Sequence, residues 1–202
     1  MLKIKQKVSE LLETALEYEP FITKDLLEIA KENNGELVGL ENRFKTESSL
    51  FRKLSERLEL QDASSFRFAE ILDDFAANIN DVLRYTMIFR IETYTSDCLK
   101  TLQILEQKSY KIEKIWNAWL MKETRLDLGY RGLNTIITNP PYVTFELQFH
   151  TFESYTAKEA NHFLYEEMRL KKTDKAKRKL LRKTQINNVA DLKFPPNVEN
   201  IK

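Results

Sequence analysis

The stretch Phe145-Glu146-Leu147-Gln148-Phe149-His150-Thr151 alternates apolar and polar side chains. An extended chain sends successive side chains to opposite faces, so Phe145, Leu147 and Phe149 face a core. Glu146, Gln148 and His150 then stand in a row on the other side, roughly 7 Å between successive members. A carboxylate, an amide and an imidazole in one row can bind a metal, a hydroxyl and a phosphate; the solvated face of an edge strand shows the same alternation. A second group is cationic. With Arg43-Phe44-Lys45 extended, Arg43 and Lys45 share a face, a helix opens near Ser49, and Lys53 lies one turn further in. Free N–H groups at a helix start, a hydroxyl and cations suit a triphosphate, though a basic patch open to water has the same composition. Asp81 precedes an apolar run and suits Mg²⁺, which takes one or two carboxylates plus phosphate oxygens; in a helix-ending turn it would serve only the backbone. Gly129-Tyr130-Arg131-Gly132 offers an aromatic face and a cation, suited to a base and a phosphate, unless Tyr130 is a packing residue. Lys158, His162 and Tyr165 fall near one helical face, with a structural role for His162 equally open. Trp116 and Trp119 flank Asn117 and either shape a base pocket or fill the core.

The elements that must position these side chains are legible from hydrophobic period. Leu2, Ile4, Val8, Leu11, Leu12, Ala15 and Leu16 form a helical stripe that should end before Pro20. A second helix is expected from Phe21 to Asn33, stopped by Asn33-Asn34-Gly35. Leu37 to Lys45 reads as short and extended. Ser48 or Ser49 should cap a helix running to about Leu60 with Leu50, Leu54 and Leu58 inside, and Phe66 to Asn80 should form another. Leu83 to Phe89 reads as a mostly buried strand, Tyr94 to Glu106 as a helix, and Tyr110 to Trp119 as a strand and loop. Leu133 to Thr138 and Val143 to Phe149 flank Asn139-Pro140-Pro141-Tyr142, a hairpin signal. Ser154 to Arg169 is a strong helix. Lys171 to Lys183 is densely basic, and the end, with Pro195 and Pro196, is expected to be loose. Helices enclosing four or five strands indicate an α+β fold, divided into a helical segment over 1–36, a main domain over 37–170 and a basic helix and tail over 171–202.

Bulk composition limits the function. Lys and Arg number 32 against 31 Asp and Glu, so global charge does not argue for a polyanion binder and any such site must be local. The lone Cys98 excludes an intramolecular disulfide framework and a Cys-rich zinc site, and suits a reducing cytoplasm. No apolar run is long enough for a membrane span, and the amphipathic, acid-rich opening is no signal peptide.

Each pattern is ordinary alone; their order is not. Arg43-x-Lys45-x-x-x-Ser49-x-x-x-Lys53, then Asp81 before a strand, then Gly129-Tyr130-Arg131-x-Leu133, then Phe145-Glu146-Leu147-Gln148-x-x-Thr151 resembles the synthetase domain of the RelA/SpoT family. Short toxin-type members look most similar. They share Leu83 to Thr86, Asn117-x-Trp119, Tyr130 to Asn134, Glu146 to Thr151, and Lys158, His162, Leu164, Tyr165 and Glu166 in the last strong helix. The resemblance covers roughly Leu40 to Arg169. It implies a mixed, mainly antiparallel sheet of four to five strands, nucleotidyltransferase-like, flanked by helices.

It also implies an activity: transfer of the β,γ-diphosphate of ATP to the 3′-hydroxyl of a guanine nucleotide, GDP or GTP, giving (p)ppGpp with Mg²⁺. Arg43, Lys45, Ser49 and Lys53 would hold ATP; Asp81 and Glu146 would bind Mg²⁺, with Glu146 also accepting the hydroxyl proton. Tyr130 would stack on the acceptor base, and Arg131, Asn134, Gln148, His150, Lys158 and His162 would serve the acceptor side. The long housekeeping members carry His where Asn134 stands, Arg where His150 stands, and a lysine that Leu126 to Gly129 lacks, although Lys122 and Arg125 are near. Those differences keep open an adenine nucleotide acceptor giving (p)ppApp, and a further reading takes the 3′ end of tRNA as acceptor. For tRNA, Lys171, Lys172, Lys175, Lys177, Arg178, Lys179, Arg182 and Lys183 would contact phosphates. A catalytically dead nucleotide- or RNA-binding module is the reading outside enzymes. The long members also have an alarmone-hydrolase domain with a His-Asp motif; His150 and His162 are the two histidines here and neither precedes Asp. A synthetase unable to remove its product acts as a toxin in the cytoplasm, with an antitoxin or immunity protein as partner.

Overall fold

A computed structural model describes residues 1–59, 67–120, 129–140, 143–170 and 172–202. Lys122, Arg125, the Leu126 to Leu128 stretch, Pro141, Tyr142, Lys171 and the expected start at Phe66 lie outside the described residues. Helix α1 runs unbroken over Leu2–Glu32 with Pro20 inside it, where two helices were expected. The buried stripe explains this. Ile4, Val8, Ala15, Glu19, Ile22, Leu26 and Ile29 keep one helical phase through the proline, while Pro20 and Leu16 face solvent. The single hydrogen bond that proline removes ends on the Leu16 carbonyl, which water can satisfy. Asn34 in the left-handed region (φ 53°) ends the helix, and Gly35 donates to the Ala30 carbonyl at 2.8 Å. A Cβ on Gly35 would lie 2.5 Å from the Phe89 ring, so the turn closes only on glycine.

Strand β1, Glu36–Val38, is followed by left-handed Gly39 and a 3-10 turn over Leu40–Asn42. The extended run expected through Lys45 is therefore interrupted. Helix α2, Glu47–Leu58, buries Leu50, Leu54 and Leu58 and takes Thr46 as its N-cap, upstream of the expected Ser48 or Ser49. The Thr46 hydroxyl oxygen accepts the Ser49 N–H, which places Ser49 in the first turn. Helix α3 spans Phe68–Ala77. Strand β2 (Arg84–Phe89), helix α4 (Tyr94–Gln107), and strands β3 (Lys111–Asn117), β4 (Leu133–Asn139) and β5 (Val143–Thr151) follow.

The sheet has five strands in the order β1-β2-β5-β4-β3. β2 and β5 are parallel and the other pairs antiparallel, a mixed, mostly antiparallel α+β arrangement. Tyr85, Met87, Phe89, Phe145, Leu147 and Phe149 join α1 and α4 in one apolar core. Helix α5, Phe152–Arg169, lies over the opposite face, started by a capping box between Thr151 and Ser154. Helix α6, Lys175–Ala190, packs on α5 through Asn161, whose amide donates to the Gln185 carbonyl at 3.0 Å.

The chain end is packed, contrary to the expectation of a loose tail. Val198 and Ile201 are 2% and 1% exposed, Thr95 donates to the Pro196 carbonyl at 2.7 Å, and the Asn117 amide donates to the Val198 carbonyl at 2.8 Å. The prolines suggested freedom, but the apolar residues before and after them find partners near Trp119, which Phe194 meets edge-on. Among the described residues no helix is long and apolar enough to cross a membrane.

Candidate active site

Parallel pairing of β2 with β5 sets Arg84 beside Glu146 and Thr86 beside Gln148; antiparallel pairing of β4 with β5 sets Asn134 beside Gln148. The polar row read from the sequence therefore gains neighbours from both sides. It does not face solvent: Glu146, Gln148 and His150 are 9%, 6% and 0% exposed. The Arg84 guanidinium joins the two acidic candidates, donating from Nε to Glu146 Oε2 at 2.8 Å and from a terminal nitrogen to Asp81 Oδ2 at 3.1 Å. Glu146 Oε1 accepts from the amides of Asn134 and Gln148 at 3.0 and 2.9 Å.

Asp81 is also bonded by Lys45 and by Lys53 at 2.7 Å. The Phe44–Leu83 bridge and the bond from Lys45 N–H to the Val82 carbonyl bring Lys45 there. Burial raises the Asp81 pKa, but the Lys45 and Lys53 ammonium groups outweigh it and hold the carboxyl well below the usual range. Burial pushes the Lys45 ammonium down, with Asp81 opposing. For Arg84, burial is outweighed by the charges of Glu146 and Asp81, which raise its pKa. Since both carboxylates meet one guanidinium, they converge on one point. That oxygen pair suits a hard cation completed by phosphate oxygens; among the described residues no group of three or more His, Cys, Asp or Glu could hold a metal unaided.

A cleft of about 640 Å³ opens above this point between α2 and α5. Lys45, Ser49, Lys53, Asp81, Lys158 and His162 all line it, as do Arg84 and Thr86, with Arg52, Tyr165 and Arg169 also on its walls. Burial lowers the Lys158 pKa, with Glu159 opposing, and its ammonium approaches the Thr86 hydroxyl at 3.4 Å. Arg43 does not join them. It adopts helical backbone angles after the 3-10 turn, so it and Lys45 diverge. Its guanidinium binds Glu19 of α1 and the Leu40 carbonyl, each at 2.6 Å.

Tyr130, Asn134 and His150 form a second cluster. The Tyr130 hydroxyl bonds to Asn134 and to His150 Nε2 at 2.9 Å, and Trp116 stacks flat on its ring with centroids 5.8 Å apart. One ring face that an acceptor base would use is thus taken by Trp116. Trp119 belongs to the core, its indole N–H donating to the Tyr94 hydroxyl at 3.1 Å. His150 is pushed down to about 3, by burial first and the Lys158 charge second, with the Arg131 backbone opposing; it is a neutral ring rather than a phosphate-binding cation. Arg131 lies 5.7 Å from the Phe194 ring centre. Helix α5 holds the start of this loop, since Asn161 also donates to the Gly129 carbonyl at 2.8 Å, and α6 approaches it at Gln185, whose Cβ lies 2.6 Å from where a Cβ on Gly129 would stand.

Several contributing residues escape a reading of local spacing. Arg84 shares the strand face of Thr86, a signal visible in the alternation of β2, but its partner Glu146 is 62 positions away. Glu19 and Ser154 carry no distinguishing sequence signal. No family model matches the chain, and no curated protein matches it. Solved structures do. The small alarmone synthetase 2 from Bacillus subtilis aligns over 90% of this chain and 89% of its own, at 18% identity and a TM-score of 0.55. A GTP pyrophosphokinase family protein from Streptococcus pneumoniae aligns over 89% and 87%, at 14% identity and 0.56. The chain has the fold of the short alarmone synthetases. The type VI effector Tas1, solved with its immunity protein, aligns over 92% of this chain and 95% of its own, at 14% identity and 0.52.

Proposed function

We propose that this chain is a Mg²⁺-dependent pyrophosphokinase that transfers the β,γ-diphosphate of ATP to the 3′-hydroxyl of GDP or GTP. The observation that supports this most is the convergence of Asp81 and Glu146 on Arg84 at the foot of a cationic cleft, within the fold of the short alarmone synthetases. Lys45, Lys53 and Ser49, with the unpaired N–H groups at the start of α2, hold the triphosphate. Arg84 exchanges its carboxylate partners for phosphate oxygens, which its planar fork fits equally well. Arg43 reaches the donor only by leaving Glu19. Asp81 and Glu146 would hold Mg²⁺, and the chemistry it would supply there is neutralisation of charge on the donor's phosphate oxygens.

The acceptor 3′-oxygen attacks the β-phosphorus in line as the bond to the α,β-bridging oxygen breaks, and AMP departs. Glu146 Oε2 accepts the hydroxyl proton. A carboxylate is a weak base for a sugar hydroxyl, so the rate derives mainly from alignment and charge stabilisation. Arg131, Asn134, Gln148, His150, Lys158 and His162 border the acceptor side of this centre.

Incubation with Mg²⁺ and ATP labelled in its β- and γ-phosphates, offering GDP, GTP, ADP, ATP and tRNA in turn with Glu146→Gln as control, tests the reading. Label should enter GDP or GTP. Label in ADP or ATP would make the product (p)ppApp, and label in tRNA would assign the basic face of α6 to RNA. Label in no acceptor would leave a nucleotide-binding module. We read the proposed enzyme as a toxin acting in a cytoplasm, with an immunity protein or antitoxin as its expected partner, a reading supported by the likeness to Tas1, which was solved with its immunity protein.

A further inference from the structure

A continuous series of hydrogen bonds leads from the start of α5 to the Glu146 carboxylate. Ser154 Oγ is 2.9 Å from His150 Nδ1, His150 Nε2 is 2.9 Å from the Tyr130 hydroxyl, that hydroxyl bonds to Asn134 Oδ1, and Asn134 Nδ2 is 3.0 Å from Glu146 Oε1. Proton bookkeeping gives the series one direction. An ionised carboxylate only accepts, so the Asn134 amide turns its NH₂ to Glu146 and its carbonyl to Tyr130. Tyr130 must therefore donate to Asn134, and its oxygen is left to accept from His150 Nε2–H. The ring is neutral, so Nδ1 is an acceptor and takes the Ser154 proton. Ser154 is free to give it, because its oxygen accepts the Thr151 N–H at 3.0 Å and its alternative acceptor, the Thr151 carbonyl, is further off at 3.3 Å.

The surroundings are built around the same atoms. A Cβ at Gly132 would lie 2.6 Å from His150 Cε1 and 2.9 Å from the Tyr130 hydroxyl, so the absence of a side chain there leaves room for their bond. Trp116 stacked on Tyr130 fixes the plane of that ring. With Oε1 held by Asn134 and Gln148, Oε2 is the oxygen left to Arg84.

We propose that Ser154, His150, Tyr130 and Asn134 form a one-way hydrogen-bond relay that positions the Glu146 carboxylate, and that the Tyr130 hydroxyl serves this relay. These are positioning residues acting through Glu146, and their effect on turnover rests on the pyrophosphokinase reading above. The relay itself is a property of the folded chain without substrate.

Two readouts separate the claims. His150 and His162 are the two histidines of the chain, so long-range ¹H–¹⁵N spectra of the nucleotide-free protein resolve their tautomers. His150 should be Nε2–H, with a slowly exchanging ring proton that exchanges faster in Tyr130→Phe. An Nδ1–H tautomer, or a ring proton indifferent to Tyr130→Phe, overturns the relay. In the transfer assay Tyr130→Phe, which keeps the ring and its stacking, should lower kcat roughly 10- to 100-fold, the range for groups that orient a metal ligand, with both KM values nearly unchanged. His150→Gln keeps an N–H for Tyr130 and should retain several-fold more turnover than His150→Leu. A Tyr130→Phe kcat equal to wild type, or equal losses in the two His150 variants, overturns the positioning role. Absence of transfer by the wild-type protein refutes the pyrophosphokinase reading instead, and the tautomer and exchange results then decide the relay alone.

Discussion

Arg84 shows how charge is balanced at the scale of single residues. It bridges Asp81 and Glu146, and Lys45 and Lys53 crowd the same aspartate; on the proposed reading each cation is held where a phosphate would meet it. On the proposed reading Glu146→Gln removes the proton acceptor and one oxygen of the cation site; kcat should fall by about 10²-fold or more with the far-UV circular dichroism unchanged. Turnover within tenfold of wild type would contradict that role. Asp81 carries a separate, activity-free prediction. Its folded pKa lies below the ordinary value of 3.8, so its contribution to stability is complete above that value and is lost as pH falls towards the folded pKa. Asp25, lowered by Lys108 and Tyr110 against the opposing effect of burial, loses stability in the same direction. Urea titrations of wild type and Asp81→Asn between pH 2 and 5 isolate the Asp81 part: the wild-type curve should rise more steeply with pH, and parallel curves would count against the ion-pair cluster. The row Glu146, Gln148 and His150 was legible because strand alternation is a local rule. The divergence of Arg43 from Lys45 was not, because a 3-10 turn leaves no mark in that spacing, and the burial of His150 depends on α5 and on Tyr130 from another loop.

Elements are set by phase more than by punctuation, as α1 illustrates. Pro20 looked like a boundary because proline breaks helices from within; the uninterrupted stripe from Ile4 to Ile29 overrides it, since burial of that stripe on α2, α3 and the sheet outweighs one lost bond on the wet side. Pro20→Ala should therefore raise unfolding stability, by about 1–3 kcal/mol from restored helix propensity less the entropy that proline removes from the unfolded chain, read as a higher urea midpoint with an unchanged slope. A lower midpoint would mean the proline is needed where it stands. At α5 the opposite holds and punctuation dominates. Thr151 and Ser154 form a reciprocal cap, and the Ser154 hydroxyl also meets His150, so Thr151→Ala should cost about 1–2 kcal/mol and loosen the proposed relay together. The polar face over which α5 lies was visible in sequence; the pairing of β2 with β5 was not, because a parallel neighbour 62 positions away has no local signature.

At the scale of the molecule, both chain ends brace the centre. Glu19 of α1 holds Arg43, and the last residues close over the corner after β3. Asn117 bonds to the Val198 and Ile201 carbonyls at 2.8 and 3.2 Å and accepts from the Trp119 N–H at 3.2 Å; its neighbour Trp116 stacks on Tyr130. The tail is thus connected to the proposed relay through one strand end. Deleting residues 194–202 removes the Phe194 contacts with Trp119 and Arg131 and uncovers what Val198 and Ile201 bury. Those two side chains alone contribute about 3 kcal/mol or more at 1.5–3 kcal/mol each. The truncated protein should unfold at lower urea concentration, and its tryptophan emission should shift to the red as Trp119, 1% exposed in the intact chain, meets water. On the proposed reading kcat should fall as well, since Trp116 no longer holds the Tyr130 ring in plane, while ATP binding in the cleft between α2 and α5 changes less because no tail residue lines it. An unchanged midpoint and emission would restore the expectation of a loose end; a loss of ATP binding equal to the loss of turnover would mean that the tail supports the whole sheet rather than the corner beside Tyr130.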